Sequence, residues 1–449
     1  MAVQWEKEML DLVGEERLKL DPATREKLSK DYYWYSPVLS EILRNKKAEA
    51  IVIPETESEI PAILATAWKH RLPVTVRGAG TGNYGQAVPL HGGVVLDLSS
   101  LTEIAEVGDE YARVQCGVRM KALEKYLRER NKELCIYPST FAKATIGGFV
   151  CGGSGGVGSI TWGNLWDGNV KGAVVYTMEE KPRRLAVSAD EMPNYIHNYG
   201  TTGVMTEVTI RIAPKTEWVQ QIVQFSDAES AVRFGERLAR DDAIRKRLVS
   251  ISEAPIPDYF LPLAKHIAPG SSVALLEIEE GTEQAAAAHA AAFGGKVTYT
   301  IPARLYQKTL GLSDFSWNHT TLWALKTDPG VTYLQSQFHP ENYLEQMRRI
   351  KERYPDEVLF HFEWIRNAGT IMPTSLPLVR YRNKERLYEI IEFFESVGAR
   401  IFDPHTFVLD YDGRADYSRM IEKKKVNDPL GLLNPGKIKM LSRAESSLG

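Results

Sequence analysis

Cysteine is scarce. The 449 residues contain three, Cys116, Cys135 and Cys151, an odd count with no CxxC pair. That excludes a disulfide framework and a thiolate zinc site, and it suits a reducing compartment, so the expected location is the cytoplasm. Long apolar runs are missing as well. No stretch approaches the roughly 18 apolar residues of a membrane-spanning helix. The opening MAVQWEKEMLDLVGEERLKL mixes acids and bases at helical spacing and lacks the apolar core of a signal peptide. Nor is there an excess of either charge: 55 Lys and Arg face 58 Asp and Glu, a formal −3. Such a balance gives no field for gathering nucleic acid, which is excluded as a partner.

What is present is ordinary globular composition, long enough for about two or three domains that fold without staples. Residues 1 to 45 read as polar amphipathic helix. Then come a β-branched run at AEAIVI, a helix from about Glu57, and strands at Pro73 to Val76, at Val94 and at YARVQCGV. A helix from Met120 to Arg130 follows. Periodicity stops between Ile136 and Asn169, where glycines crowd at 147, 148, 152, 153, 155, 156 and 158, and that stretch reads as loop. Strands resume at VKGAVVYTME and VMTEVTIRIAP, ending near Pro214. Beyond it the order strand, helix, strand, strand, helix, strand occurs once from Trp218 to Ile301. A similar order recurs from VTYLQSQF through helices 341 to 353 and 384 to 396, with EVLFHFEWI between them. Two such split β-α-β units can build one antiparallel sheet. The expected division is therefore 1 to 215, 216 to 424, and a tail, 425 to 449, that returns to the first domain.

Two glycine-rich segments carry the chemistry. In RGAGTGN, residues 77 to 83, Gly78, Gly80 and Gly82 alternate directly after an apolar strand, leaving backbone N–H groups able to converge on an anion. Gly80, Gly82 and Gly85 also satisfy GxGxxG, but a strand follows where a Rossmann site needs a helix. A plain tight turn is the other reading. The second segment, ATIGGFVCGGSGGVGS, follows YPST at 137 to 140 and offers many small donors to a large flat ligand, or else a flexible loop. GLLNPGK, residues 431 to 437, copies P-loop spacing but has Pro435 where a donor is needed and Ile438 where Ser or Thr belongs. No P-loop is expected there.

Taken together, RGAGTGNYGQAVPLHGGVVLDLSSL, PSTFAKATIGGFVCGGSGG, GTTGVMTEVTIRIAP and DPLGLLNPGK resemble the flavin-dependent oxidoreductases of the vanillyl-alcohol-oxidase type, especially the glycolate oxidase and D-lactate dehydrogenase branch. The resemblance implies an α+β fold: a two-subdomain FAD domain plus an antiparallel-sheet cap over the isoalloxazine. It implies that Arg77, Gly78, Ala79, Gly80, Thr81, Gly82 and Asn83 wrap the FAD pyrophosphate. Pro138, Ser139, Thr145, Gly147, Gly148, Gly152, Gly153 and Ser154 would line ribityl and ring, Val204 would meet the adenine side through its backbone, and Asn434 would reach the flavin from the tail. The family's covalent attachments use His or Cys, which Arg77 to Asn83 and Lys143 to Thr145 lack. FAD is expected to be non-covalent, with Cys151 packing only.

The sequence also departs from that branch. Gly200, Thr201, Thr202 and Gly203 stand where the family has SEGTLG, DPHT replaces GEHG around His405, and HFEWIRNAG at 361 to 369 lacks the branch's metal-ligand set, so no metal is expected. Oxidising a hydroxylated donor calls for a base to take its proton. His405 is the first candidate, or else a histidine bonded at a strand end. His319, between Trp317 and Trp323, is the second, or else an aromatic-packed histidine. Glu363 shares a strand face with His361 and Ile365, as a cap-floor acid or a partner for Arg366. Arg380, with Arg382 flanking Tyr381, would fork a carboxylate or else mark a solvated helix start. The aromatics Trp317, Trp323, Tyr333, Phe338, Phe360, Phe362 and Trp364 line a pocket or fill a core.

The expected activity is oxidation of a small hydroxylated substrate, a 2-hydroxy acid or an aromatic-bearing molecule, with electrons passing to oxygen, a quinone or another protein. The alternative is a flavin-carrying subunit of an electron-transfer complex. Arg245 to Arg247 and Lys423 to Lys425 read as surface, or as contacts to an anionic membrane or acidic acceptor. Self-association stays open.

Overall fold

The computed structural model describes residues 3 to 411 and 416 to 439. Four sheets organise these residues. In the first, Ala50–Val52, Val94–Asp97 and Val74–Arg77 run parallel, and Leu18–Lys19 pairs antiparallel at the edge. These short apolar strands alternate with the helix Ile60–Lys69, whose Ile60, Ile63, Leu64 and Ala67 are buried at i, i+3, i+4 and i+7, so one apolar stripe seats the helix on the sheet. The second sheet is antiparallel and built around the long strand Val204–Pro214, which pairs with Tyr111–Gln115, Val170–Tyr176 and Lys132–Leu134.

The region from residue 1 to 45 is not one helix. Pro22 and Pro37 each open a new short helix, Pro22–Leu28 and Pro37–Leu43, capped by Asp21 and Ser36, and the tyrosine-rich turn between them sends the chain sideways. Proline at a first helical position starts a helix and cannot continue the preceding one. The glycine-rich stretch is likewise more ordered than its composition suggests. Thr145 caps a helix Ile146–Gly152, and Ser159–Trp162 forms another turn.

After Pro214 the chain enters an eight-stranded sheet in the order Lys296–Ile301, Trp218–Phe225, Ser272–Glu279, Lys246–Ser252, His361–Asn367, Thr370–Ser375, Ser336–Gln337, Arg400–Ile401, antiparallel throughout. Both halves of the cap thus contribute to one sheet. The runs VTYLQSQF and EVLFHFEWI each split: Val331–Tyr333 and Val358–Leu359 belong to a separate three-stranded sheet completed by Leu378–Arg380. The helices Ala228–Ala239, Tyr343–Arg353 and Lys384–Ser396 bury apolar faces in a shared cluster with Phe338, Phe360, Phe362 and Trp364. Those aromatics are core.

The tail comes back. Val74 donates its N–H to Leu432 O and Asn434 donates to Val74 O, both at 2.8 Å, adding the tail beside the strand that leads into RGAGTGN.

The basic runs are not free surface. Lys246 is buried and donates Nζ to Leu238 O and Ala239 O at 2.8 and 3.3 Å, closing the helix Ala228–Ala239 on its last carbonyls. Arg247 is wholly buried, Lys424 bonds Asp428 at 2.7 Å, and Lys423 pairs with Glu191 at 3.0 Å. A charge run that caps helices and bridges segments leaves little for an anionic surface. No helix among the described residues is long and apolar enough to cross a membrane.

Candidate functional site

The strand Val74–Arg77 ends at Gly78, and from there the backbone turns without regular bonding. Among the described residues, none of the N–H groups of Gly78, Ala79, Gly80, Thr81, Gly82 and Asn83 has an acceptor in the protein. A row of uncommitted donors is a ready anion nest. Side chains would close it. A Cβ on Gly78 would sit 2.1 Å from Thr145 Oγ1, and one on Gly80, at φ +61°, would sit 2.1 Å from the Arg77 guanidinium carbon. That guanidinium lies beneath the loop, anchored by a 2.7 Å bond from Nη1 to Lys30 O, so the nest has a buried cation behind it.

The second glycine cluster makes the facing wall. Thr145 Oγ1 accepts from Gly148 N–H at 3.3 Å. Gly147 packs so closely on Cys116 that a Cβ would come within 2.4 Å of Cys116 Cβ. Gln86 ties the two walls: its Oε1 accepts from Tyr84 N–H at 2.8 Å and its Nε2 donates to Gly152 O at 3.2 Å. Between them lies a cavity of about 690 Å³, within the range of pockets that enclose small molecules. The cap completes it with Trp317, Asn318, Gln335 and Asn367, and is seated by a 2.6 Å bond from Asn83 Nδ2 to the Tyr333 hydroxyl.

Every residue expected from the two glycine segments lines this cavity: Arg77 through Asn83, Pro138, Ser139, Thr145, Gly147, Gly148, Gly152, Gly153 and Ser154. Val204 and Asn434 do not. Val204 is buried in its strand with Gly203 and Met205 on the cavity side, and Asn434 is buried behind the wall.

None of the four expected catalytic residues lines the cavity. His405 is 2% exposed and both its nitrogens are spoken for, Nδ1 by Ser36 Oγ at 2.7 Å and Nε2 by Tyr333 O at 2.9 Å. Burial pushes it down to about 4. It is a structural pin between the first helices and the cap. His319 follows the lining residues Trp317 and Asn318 but points away, bonded to the Asp314 backbone and pushed by burial to about 4. Glu363 is buried and accepts from Trp317 N–H at 2.7 Å, holding that residue at φ +51°, and sits 3.1 Å from His361 Nε2. It supports the wall without reaching the cavity. Arg380 is exposed on the three-stranded sheet, its N–H bonded to Glu357 O. The carboxylate fork is therefore not at this site.

One histidine that sequence reasoning passed over is there. His197 lines the cavity at φ +49°, its Nδ1 2.9 Å from Gly153 O. A carbonyl accepts only from a protonated nitrogen, so Nδ1 carries the hydrogen and Nε2 is a bare acceptor, with no protein partner among the described residues. Burial lowers its pKa and keeps the ring neutral. His197, Tyr199 and Gly200 all take positive φ in IHNYG, a conformation uncommon outside glycine, and it is this turn that aims the ring at the cavity.

Residues 48–185 match the FAD binding domain family. Over 173 residues the chain is 34% identical to "Glycolate oxidase subunit GlcD" of Escherichia coli (strain K12), covering 37% of this chain and 34% of that protein, so the match spans about a third of that relative's length. The GlcD subunit of Bacillus subtilis (strain 168) is 23% identical over 426 residues, covering 87% of this chain and 88% of that protein. A D-lactate dehydrogenase of Archaeoglobus fulgidus is 26% identical over 217 residues, 45% and 49% of the two chains. Among solved structures, alkyldihydroxyacetonephosphate synthase shares the fold, with TM-score 0.74 at 13% identity over 97% of this chain and 86% of that chain. The residues present fit the group this family holds. A doubly charged pyrophosphate needs converging donors and a cation, and the free N–H row over Arg77 supplies both.

Proposed function

With an FAD-binding domain at residues 48–185 and FAD as the cofactor, we propose that this protein oxidises a small hydroxylated donor, holding its FAD without a covalent bond. We divide the chain as residues 1 to 215 for the cofactor, 216 to 424 for the cap, and 425 to 449 for a tail serving the first. The observation that carries this reading is the row of six uncommitted N–H groups opening into a cavity that a separate sheet closes. The flavin, when bound, supplies the acceptor for the donor's hydride. The chain's own residues do the rest. The loop N–H groups bind the pyrophosphate and Arg77 neutralises it. The cap, fastened by Asn83 to Tyr333 and by the Tyr84 hydroxyl to Gln335, excludes water from the space the donor would occupy. His197 takes the hydroxyl proton at Nε2, the one imidazole nitrogen among the described residues that faces the cavity bare.

The test is the visible spectrum of the purified protein before and after heat release of its cofactor, then anaerobic titration with hydroxy acids, alcohols and polyols. Yellow protein whose flavin leaves on denaturation and bleaches with one donor class supports the reading. Colourless protein that takes up no FAD ends it. His197→Ala is expected to slow flavin reduction by about 100-fold, the usual size of a lost general base, while leaving flavin content unchanged.

A second reading draws on the relative named as a subunit: the chain would carry flavin within a larger electron-transfer complex. Turnover of the isolated chain with an artificial acceptor separates the two.

A further inference from the structure

The tail sequence NPGK is too poor a P-loop to bind phosphate itself, yet the structure buries its two polar side chains completely. Asn434 is 1% exposed and Lys437 0%. Neither lines the cavity. Each instead bonds the backbone of the segments that do, or of their immediate neighbours.

Asn434 splits its amide. One Nδ2–H goes to Gln86 O and the other to Tyr199 O, both at 2.8 Å. Gln86 and Tyr199 lie on different stretches of the cavity wall, more than a hundred residues apart in sequence. Asn434 itself is held at φ +40° by its own N–H bond to Val74 O. Three residues on, Lys437 Nζ donates to Gly85 O at 2.5 Å and lies 5.1 Å from the centre of the Phe407 ring. Gly85 and Gln86 follow the row of free N–H groups one residue on, after Tyr84, and the Gln86 side chain is the strap between the two glycine walls. The tail is in turn locked: the Asp428 carboxylate accepts from Leu432 N–H and Leu433 N–H at 2.9 and 2.7 Å, and Lys424 Nζ donates to Asp428, Thr201 O and Leu433 O.

We infer that Asn434 and Lys437 are positioning residues for the cofactor: they clamp the far end of the anion-binding loop and fix its distance from the wall at Tyr199, so that the donors at 78 to 83 converge before any ligand arrives. This rests on the FAD reading and replaces direct contact between Asn434 and the flavin. Without the clamp the loop must be ordered at binding, and that cost falls on affinity. A loop that grips pyrophosphate does so whatever hangs from it. The clamp therefore affects FAD and ADP alike, whereas a side chain touching the flavin ring affects FAD alone.

The experiment is equilibrium titration of flavin-free protein with FAD and, separately, with ADP, for the parent, Asn434→Asp and Lys437→Met. Asn434→Asp keeps the shape but turns a double donor into an acceptor facing two carbonyls, and its dissociation constants are expected to rise at least tenfold for both ligands by the same factor. Lys437→Met keeps the stem, loses one bond, and is expected to weaken both ligands by a smaller common factor, which keeps the inference testable should Asn434→Asp not fold. Loss of FAD binding with ADP unchanged would show direct flavin contact and overturn the clamp. Unchanged constants for both ligands overturn it as well. A parent protein that binds neither ligand sinks the FAD reading itself, a distinct failure from a parent that binds both and variants that do too.

Discussion

The glycine-walled cavity and the joint directly behind it are opposite solutions to burying polar groups. The cavity wall leaves backbone donors free and facing space, with the Arg77 guanidinium beneath the loop. The joint does the reverse. There Arg247, 0% exposed, lies 3.5 Å from Glu124 and 3.6 Å from Glu133, bonds the Tyr306 hydroxyl at 3.0 Å and the Leu134 carbonyl, and stacks at 4.7 Å over the Tyr137 ring, next to cavity-lining Pro138. Glu277, also 0% exposed, has no cation within ion-pair distance among the described residues. Free donors with room beside them await a ligand. Charges with no room beside them hold two halves of a chain together, Glu124 and Glu133 from the first and Arg247 from the cap.

The largest effect expected from this contrast is at the joint. Arg247→Met keeps much of the bulk but leaves Glu124 and Glu133 to share Arg128 alone, 3.8 and 2.8 Å away, and breaking a buried pair from one side costs about 3–5 kcal/mol. Denaturant unfolding should show that loss, and the two halves should separate into distinct transitions. A variant as stable as the parent would mean the cluster contributes nothing at the joint.

Glu277 tests the same region through pH. Burial raises its carboxyl from 4.5 to about 7 despite the attraction of Arg247. The folded protein therefore holds one more proton than the unfolded chain between those values, so stability is fully present below about 4.5 and falls as pH rises through 7. At about 1.4 kcal/mol per unit, the window is worth about 3 kcal/mol. Glu277→Gln, neutral throughout, should flatten the parent's decline in urea midpoint between pH 5 and 8. An identical decline in both proteins would place the titration elsewhere.

How legible each region was in the sequence follows from the same difference. The cavity wall could be read because glycine spacing after an apolar strand is a local pattern and its consequence, free N–H groups, is backbone geometry. The joint was illegible, and Arg247 was read as surface, because Arg-Lys-Arg looks alike whether solvated or turned inward; Glu124 and Glu133 are near each other in sequence but more than a hundred residues from Arg247 and Glu277. The expected catalytic residues do not line the cavity, for a related reason. His405, in a turn, and Glu363, within a strand, are buried polar groups, and sequence shows that such a group needs partners without showing that Ser36, Tyr333 and Trp317 already provide them. His197 was missed because its role depends on a backbone turn and a carbonyl 44 positions away. Antiparallel architecture, by contrast, was plain from alternation, and only runs long enough to serve two sheets were misassigned.

On the cavity side, Gly78→Ala should be milder than Arg247→Met for stability and sharper for the cofactor. The new Cβ meets Thr145 Oγ1 at 2.1 Å, and Thr145 caps the helix that carries the second wall, so relief moves one wall off the other. Overpacking of this kind costs about 1–3 kcal/mol, here read as a loss of about 10- to 100-fold in FAD affinity by fluorescence titration. Unchanged affinity would mean that the two walls do not act as one site.

The smallest effect is expected from the cysteine that faces the cavity. Cys151 lines it, and only a thiolate attacks a flavin or exchanges with a disulfide. Burial pushes this thiol up to about 12, so at neutral pH the nucleophilic form is present at about one part in 100,000. Among the described residues burial is the one influence on it, and Arg77 is tied to Lys30 O under the other loop. A thiol held protonated among small residues packs and does little else. Cys151→Ala should therefore keep flavin content, visible spectrum and heat release as in the parent. Flavin that stays with the parent chain after denaturation, yet leaves Cys151→Ala, would mean that bound cofactor reverses the local electrostatics and that the cavity wall, like the joint behind it, works through a side chain's charge.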